Sequence, residues 1–363
     1  MPEHKILVLP GDHVGPEVIA EAIKVLNAVS DRFNIKFVYE YDLFGGASID
    51  VHGTAITDAV LEKAKASDSV LFGSVGGPKW GAAEVRPEEG VLRLRKELDC
   101  WANIRPCRFP SDRLVKLSVI KEDIIRGTDF IVLRENCGGA YFGPKVETAE
   151  FASDSWQYSK PEIERISRMA AYLARTQYPD NPVVFSLDKA NVLAVSRLWR
   201  RVVTKVFATE FPDVKLVHQL ADSAAMIMIN KPTSLNGVLL CDNTFGDILS
   251  DEAAVITGSL GLLPSASLSA VPGNSNFRPG LYEPSHGSAP DLPRNAVNPI
   301  ATILSAEMML RYSLNEGAAA DAVEAAVKGV IDSGVVTRDI GGTATTSEVG
   351  DAIAAWIRSG KAQ

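Results

Sequence analysis

Asp247 and Asp251 stand four residues apart in NTFGDILSDEAAVITGSLGL, residues 243–262. On a helix that spacing puts both carboxylates on one face. No Lys or Arg lies between them, so the two charges repel unless a cation shares the face. A divalent metal with oxygen ligands is the natural candidate. For an arbitrary D-x-x-x-D the plainer reading wins: a solvated acidic first turn favoured by the helix dipole. Here the glycine-rich exit at Gly258 and Gly261, and the rest of the chain, argue for the metal.

Other reactive groups fall just past apolar runs. Arg134 and Glu135 follow FIVL, Asp188 and Lys189 follow VVFSL, Asp222 follows KLVHQLA, and Asp242 and Asp247 follow GVLLC. In open α/β sheets ligands gather at the carboxyl ends of strands. One such charge is usually the chain reaching water; four in the same role point to one site. Lys189, in SLDKANVL, is either a helix-start Lys paired with Asp188 or a base held near a metal. Tyr141 sits among glycines in CGGAYFG, where a Tyr packed on a turn is the default. Arg93, Arg95, Arg105, Arg108 and Arg134 cluster in a stretch poor in acids. A solvated face accounts for Arg93, Arg108 and Arg113. Arg95, Arg105 and Arg134 border apolar segments and suit bidentate binding of carboxylates. In EPSHGSAPDL, residues 283–292, small residues could wrap a nucleotide. Asp291 could accept from both hydroxyls of an NAD ribose and repel a 2′-phosphate. Spacing alone leaves a surface loop as the default there. No G-x-G-x-x-G follows the first strand and no P-loop is present.

The elements that must hold these groups alternate between strand and helix patterns, which predicts an α/β fold with a mostly parallel sheet. Strands are expected at Lys5–Leu9, Ile35–Tyr41, Ser69–Phe72, Asp129–Leu133, Val183–Ser186, Val214–Gln219 and Val238–Leu240. Helices are expected from about Glu17 to Val29, over Asp58–Ala66, Arg86–Leu98, Pro161–Gln177, Ile300–Tyr312 and Ala318–Ser333, and in a last segment ending near Ile357. Val91, Leu92 and Leu98 read as one side of the Arg86–Leu98 helix. Phe142–Tyr158 is polar without a helical period and reads as an arm or hairpin outside the core. Gly261 to Pro299 reads as loops.

With 363 residues the chain has room for two domains. Its net charge of −8 argues against a nucleic-acid partner, so an anionic substrate needs a local arginine cluster. Four Cys without a C-x-x-C read as reduced thiols in a cytosol-like compartment. No apolar stretch approaches ~18 residues, so no membrane span is expected. No presequence is evident before Lys5 and the end, Gly-Lys-Ala-Gln, is no peroxisomal address. A cytoplasmic protein is the expectation.

Ten segments carry a resemblance over essentially the whole chain: LPGDHVGPEV, GSVGGPKW, RPEEGVLRLRKEL, ANIRPC, LRENCGGAYFG, SLDKANVL, LADSAAM, NTFGDILSDE, GSLGLLPSAS and EPSHGSAPDL. In that order they resemble the β-decarboxylating hydroxyacid dehydrogenases, the isocitrate/isopropylmalate family. The resemblance implies an isopropylmalate dehydrogenase-like fold without the usual Rossmann fingerprint. Two α/β domains, 1–103 with 257–363 and 104–256, would share a mixed central sheet with the active site in the cleft between them.

It also implies a homodimer with composite sites, in which Lys189, Val192 and Asp222 serve the neighbouring subunit. Mg²⁺ or Mn²⁺ would sit on Asp222 of one chain and Asp247 and Asp251 of the other, and Asp222 would also border the substrate. Arg95, Arg105 and Arg134 would hold substrate carboxylates, and Lys189 and Tyr141 would be the catalytic base and acid. NAD would contact Gly76, Gly77, Glu88, His286, Gly287, Ser288, Ala289, Asp291 and Asn298. Isocitrate enzymes carry Ser or Asn where this chain has Glu88, Val91 and Leu92. An acid followed by an apolar patch suits an isopropyl group and implies 3-isopropylmalate and leucine biosynthesis. Homoisocitrate, D-malate and tartrate are the alternatives within the family. Val91 replaces the common Leu, a loss of one methylene worth about 1 kcal/mol, which implies a slightly roomier pocket. A non-catalytic regulatory subunit would lack some of Tyr141, Lys189, Asp222, Asp247 and Asp251, and all are present. A metal-dependent hydrolase would leave Lys189, Tyr141 and the arginines without work.

Overall fold

Apolar runs such as Val70–Phe72 and Val238–Leu240 are buried on both faces, as parallel strands covered by helices on both sides must be. A computed structural model describes residues 1–81, 84–274 and 279–360. Its strands are β1 Glu3–Gly11, β2 Lys36–Tyr41, β3 Ser69–Ser74, β4 Ala102–Arg108, β5 Asp129–Glu135, β6 Lys145–Glu147, β7 Ala152–Asp154, β8 Val183–Asp188, β9 Lys215–Leu220, β10 Gly237–Cys241, β11 Pro264–Leu268 and β12 Gly280–Pro284. Ten form one sheet in the order β2-β1-β3-β12-β11-β4-β5-β10-β8-β9. β2, β1, β3 and β12 run parallel, as do β5, β10, β8 and β9. Between these blocks lies a seam of three antiparallel pairings, β12 with β11, β11 with β4 and β4 with β5.

The seam explains the cleft. On one face of the sheet a single core runs beneath both blocks, from Ile6 and Val8 through Ile104 and Leu133 to Val238. On the other face the core is split. Leu7, Leu9 and Phe72 pack with Leu94 and Leu98 at one side, and Val132 and Leu239 pack with Met228 and Leu249 at the other. The helix Pro87–Glu97 belongs to the first of these cores and the helix Asn243–Thr257 to the second. Between them the sheet is polar. Arg134 pairs with Asn103, Asn103 with Ser267, and Ser265 with Glu283. Residues two apart on a strand share a face, so Arg105 joins Asn103 there.

Most expected elements are present, some a few residues longer; the helix expected over Arg86–Leu98 spans Pro87–Glu97. Three strands escaped the sequence. β4 carries Arg105 and Pro106, which mask its period. β11 and β12, PSASL and GLYEP, lie in the stretch expected to be loops. Both are wholly buried, and the Ser265 and Ser267 hydroxyls are satisfied by Asn103 Nδ2 at 2.8 and 3.0 Å. Leu92 does not share a side with Leu98. Leu98 is buried with Leu94, whereas Leu92 is 38% exposed, because it lies about 100° around the helix from Val91 and turns to the cleft. Phe142–Tyr158 holds an exposed two-stranded ribbon of β6 and β7, in keeping with the expected arm. Among the described residues no helix is long and apolar enough to cross a membrane. The tail Lys361–Gln363, read above as no peroxisomal address, lies outside the described residues.

Candidate active site in the cleft

The helix Asn243–Thr257 starts where Asp242 accepts from Phe245 N at 2.9 Å and ends at Gly258 in the left-handed region, φ 82°. Both ends are therefore fixed by local chemistry. Gly246 lets the helix lie against the sheet: a Cβ there would stand 2.7 Å from Arg134 Cγ. Asp247 thus reaches the floor. Its Oδ1 accepts from Arg134 Nη1 at 2.5 Å and its Oδ2 from the Tyr141 hydroxyl at 2.7 Å. Asp251, one turn on, is 74% exposed and lies 3.7 Å from Arg105 Nη1.

The three expected arginines converge on the same cleft, which has a volume of about 500 Å³. Each has an acidic neighbour. Arg95 Nη2 meets Glu283 at 2.6 Å, Arg134 meets Asp247, and Arg105 approaches Asp251. Two of them are also held from behind. Arg105 Nε donates to Asn103 Oδ1 at 2.8 Å and its Nη1 to Ser250 Oγ at 2.9 Å. Arg134 Nε donates to Asn243 Oδ1 at 2.9 Å. Arg95 Nε is buried without a partner. Burial, then the neighbouring Arg105, push the Arg134 guanidinium down to about 10. Burial, then Arg95, lower Arg105 as well. Crowded, partly desolvated cations favour an anionic ligand. Burial and the bond to Asp247 push the Tyr141 hydroxyl up to about 12, so it holds its proton at neutral pH.

Glu88, Val91, Leu92 and Arg95 line the opposite wall. Their spacing puts them on one helix face. Val91 and Leu92 give that wall an apolar patch bounded by one acid and one base.

The expected dinucleotide loops meet beside this wall. Ser288 Oγ donates to Gly76 O at 2.9 Å, and Ala289 sits at φ 39°. Gly76 and Gly77 have φ of 102° and 151°, and a Cβ on Gly76 would stand 2.7 Å from Glu88 Oε1. His286 and Gly287 line the cleft. His286 Nδ1 donates to Gly287 O at 2.9 Å, which leaves Nε2 as an acceptor, buried and unpartnered. Asp291 is exposed. Asn298 is turned to structural work: Nδ2 donates to Asp339 at 3.0 Å and Oδ1 accepts from Ile300 N at 3.0 Å.

Lys189 and Asp222 pair with each other at 2.7 Å, and that bond holds the Asp222 carboxyl below its ordinary value. Neither lines this chain's cleft. Val192, beside them in sequence, is 61% exposed. Among the described residues one chain gathers no three His, Cys, Asp or Glu side chains placed to hold a metal, so Asp222 does not join Asp247 and Asp251 within a protomer.

The residues that hold the site were not singled out from the sequence: Asn103, Ser250, Asn243, Glu283 and Asp12. Asp12 is buried and accepts from the backbone N–H groups of Gly46, Ala47 and Gly76 at 2.8–2.9 Å, fixing the turn that presents Gly76. All five lie inside the distinctive motifs quoted above, which is the signal that could have found them.

A family model described as isocitrate/isopropylmalate dehydrogenase matches residues 5–353. A 3-isopropylmalate dehydrogenase of Diutina rugosa is 60% identical over 351 residues, 96% of this chain and 97% of that one. One of Candida boidinii is 58% identical over 359 residues, 98% of each chain. The crystal structure of isocitrate dehydrogenase from Methylococcus capsulatus superposes with a TM-score of 0.83 at 29% identity, covering 98% of this chain and 99% of that one.

Proposed function

The chain belongs to the isocitrate/isopropylmalate dehydrogenase family, and on that premise we propose that it oxidises and decarboxylates 3-isopropylmalate in leucine biosynthesis. The products are 4-methyl-2-oxopentanoate and CO₂. One observation carries the choice of substrate: three arginines on a polar floor face an apolar patch of Val91 and Leu92 flanked by Glu88. Two substrate carboxylates match the guanidinium groups, the isopropyl group matches the patch, and Glu88 opposes a third carboxylate. The test is a panel of 3-isopropylmalate, isocitrate, homoisocitrate, D-malate and tartrate with NAD⁺ or NADP⁺, with and without EDTA. Isopropylmalate with NAD⁺ should give the highest kcat/KM, and EDTA should abolish it. A higher value for D-malate or homoisocitrate would defeat the pocket argument.

NAD⁺ as hydride acceptor is supported by the unpartnered His286 Nε2 and by the exposed Asp291 on the 283–292 loop. A divalent cation is supported by the hard oxygen donors of Asp247 and Asp251, with Asp222 supplied by a second copy of the chain. When bound, it would supply Lewis-acid stabilisation of charge on the substrate oxygen. Arg95, Arg105 and Arg134 orient the carboxylates, so the reacting carbon is held rather than found by diffusion. Lys189 of the second copy accepts the hydroxyl proton as hydride leaves the same carbon. The carbon–carboxylate bond then breaks and releases CO₂. Tyr141, protonated at neutral pH, delivers a proton to the carbon left behind.

A homodimer of two-lobed subunits, with lobes 1–103 plus 257–363 and 104–256, completes the reading. Its support is an apolar stripe on neighbouring helices: Met226 and Ile229 on Ala221–Asn230, and Ile248 on Asn243–Thr257, are 68%, 42% and 62% exposed. Exposed apolar patches of this kind mark interaction sites. Val146 and Phe151 on the β6–β7 ribbon are also exposed.

A further inference from the structure

Asn243 is fully buried at the first position of the helix Asn243–Thr257. Its Oδ1 accepts from Arg134 Nε at 2.9 Å, and its Nδ2 donates to Gly138 O at 2.8 Å. Its backbone N–H donates to the Tyr158 hydroxyl at 2.9 Å. The two side-chain bonds have different destinations. Arg134 belongs to the carboxylate-binding floor. Gly138 opens the single turn Gly139–Tyr141, which carries the Tyr141 hydroxyl. The amide orientation follows from its neighbours, since a guanidinium N–H can only donate and a carbonyl can only accept.

The turn has little freedom on its other side. A Cβ built on Gly138 would stand 2.5 Å from the Tyr158 ring, and one on Gly139 would stand 2.8 Å from its hydroxyl oxygen. Tyr158 itself is buried and packs edge-on against Trp199, centroids 5.5 Å apart. The position of Tyr141 is therefore set by Tyr158 on one side and Asn243 on the other.

We propose that Asn243 is a positioning residue that couples the grip on the substrate carboxylate to delivery of the proton. It fixes the Arg134 fork and the Tyr141 turn through the two ends of one amide. The inference rests on the reaction proposed above. Asn243→Asp separates the two bonds, because a carboxylate still accepts from Arg134 but cannot donate to Gly138.

The experiment is steady-state kinetics of the full-length protein with Mg²⁺, NAD⁺ and 3-isopropylmalate, in H₂O and D₂O. N243D should keep KM for isopropylmalate within about threefold of wild type. Its kcat should fall roughly tenfold to a hundredfold, the scale of a small misplacement of a reacting group. Its solvent isotope effect on kcat should rise as proton delivery becomes limiting. N243A loses both bonds, so its KM should also rise by roughly tenfold or more, the scale of one hydrogen bond to a charged group. KM for NAD⁺ should not move in either. A wild-type kcat in N243D would overturn the proposal. So would N243D changing both KM values and kcat together, without a change in isotope effect. If N243D does not fold, N243S, R134K and the double variant decide: non-additive effects on KM support the coupling and additive ones overturn it. Failure of the underlying function shows separately, as wild-type protein that does not turn over isopropylmalate.

Discussion

Removing the charge of Glu283 tests whether the floor of the cleft is as desolvated as its geometry implies. The Glu283 and Arg95 side chains are 9% and 12% exposed and lie 2.6 Å apart. Truncating one partner of a buried ion pair costs ~3–5 kcal/mol, because the other charge is left buried alone. Glu283→Gln keeps a hydrogen-bond acceptor for Arg95, so the loss should be nearer ~2–3 kcal/mol. For a chain of this size that lowers Tm by roughly 3–4 °C. The variant has a second signature. With Glu283 neutral, Arg95 and Arg105 face each other with one anion fewer, so a dicarboxylate should be bound more readily. Calorimetric melting with and without saturating isopropylmalate should therefore show a larger ligand-induced rise in E283Q than in wild type. Replacing both partners, Arg95→Met with Glu283→Leu, should recover most of the lost stability while abolishing that rise. An E283Q melting temperature within about 1 °C of wild type, or a smaller ligand shift, would refute the reasoning.

Asp247→Asn and Asp251→Asn should each weaken Mg²⁺ binding and abolish turnover while leaving a folded dimer, as read by metal titration and gel filtration; near-normal metal-dependent activity in either restores the solvated-face reading. Asp247→Asn keeps one acceptor oxygen where Arg134 and Tyr141 use two, so it should also release one of them, and its turnover should not return at high Mg²⁺. Val91→Leu adds one methylene to the apolar patch, worth ~1 kcal/mol or about fivefold in kcat/KM for isopropylmalate, and no gain for malate, which has no isopropyl group. Burial pushes the Glu135 carboxyl from 4.5 up to about 7 against the opposing pull of Arg165. A raised folded value means the stabilising contribution is full below the ordinary value and is lost as pH rises through about 7. Glu135→Gln should therefore gain stability relative to wild type as pH rises from about 5 to 8; a Tm difference that stays flat over that range removes the carboxyl from the account.

The acidic pair, Arg95 and Arg134 were legible because each lies in or just past a periodic segment whose face can be counted, whereas Arg105 sits on β4, whose period it masks. The helix that carries Asp247 and Asp251 follows from spacing, a cap at Asp242 and a stop at Gly258. What holds those groups was not legible. Glu283 meets Arg95 only because β12 and the helix Pro87–Glu97 flank one cleft from 188 residues apart, and no local pattern encodes that distance. β11 failed as a strand on paper because its alternation is of Ser against Ala and Leu. The polar member is buried too, and only Asn103, on a strand equally hard to recognise, makes that tolerable. Leu92 was grouped on one side with Leu98 as well as in the apolar patch; helical angle separates it from Leu98 and leaves it in the cleft.

The sheet order also sets a timetable. β3 lies beside β12, with Ser69 opposite Gly280, and the helix Gly15–Phe33 is tied to the last helix, Thr346–Ser359, by Arg32 to Ile357 O and Arg358 to Asp31. β5, β8, β9 and β10 all come from the middle of the chain and take their strand partners from one another or from β4, although one face of them rests on the shared core. During synthesis the central stretch can close on itself, while the first hundred or so residues wait for the last hundred. That long wait is where nascent chains are most exposed to wrong partners, so truncation from the C-terminus should harm the earliest-made residues more than the middle ones.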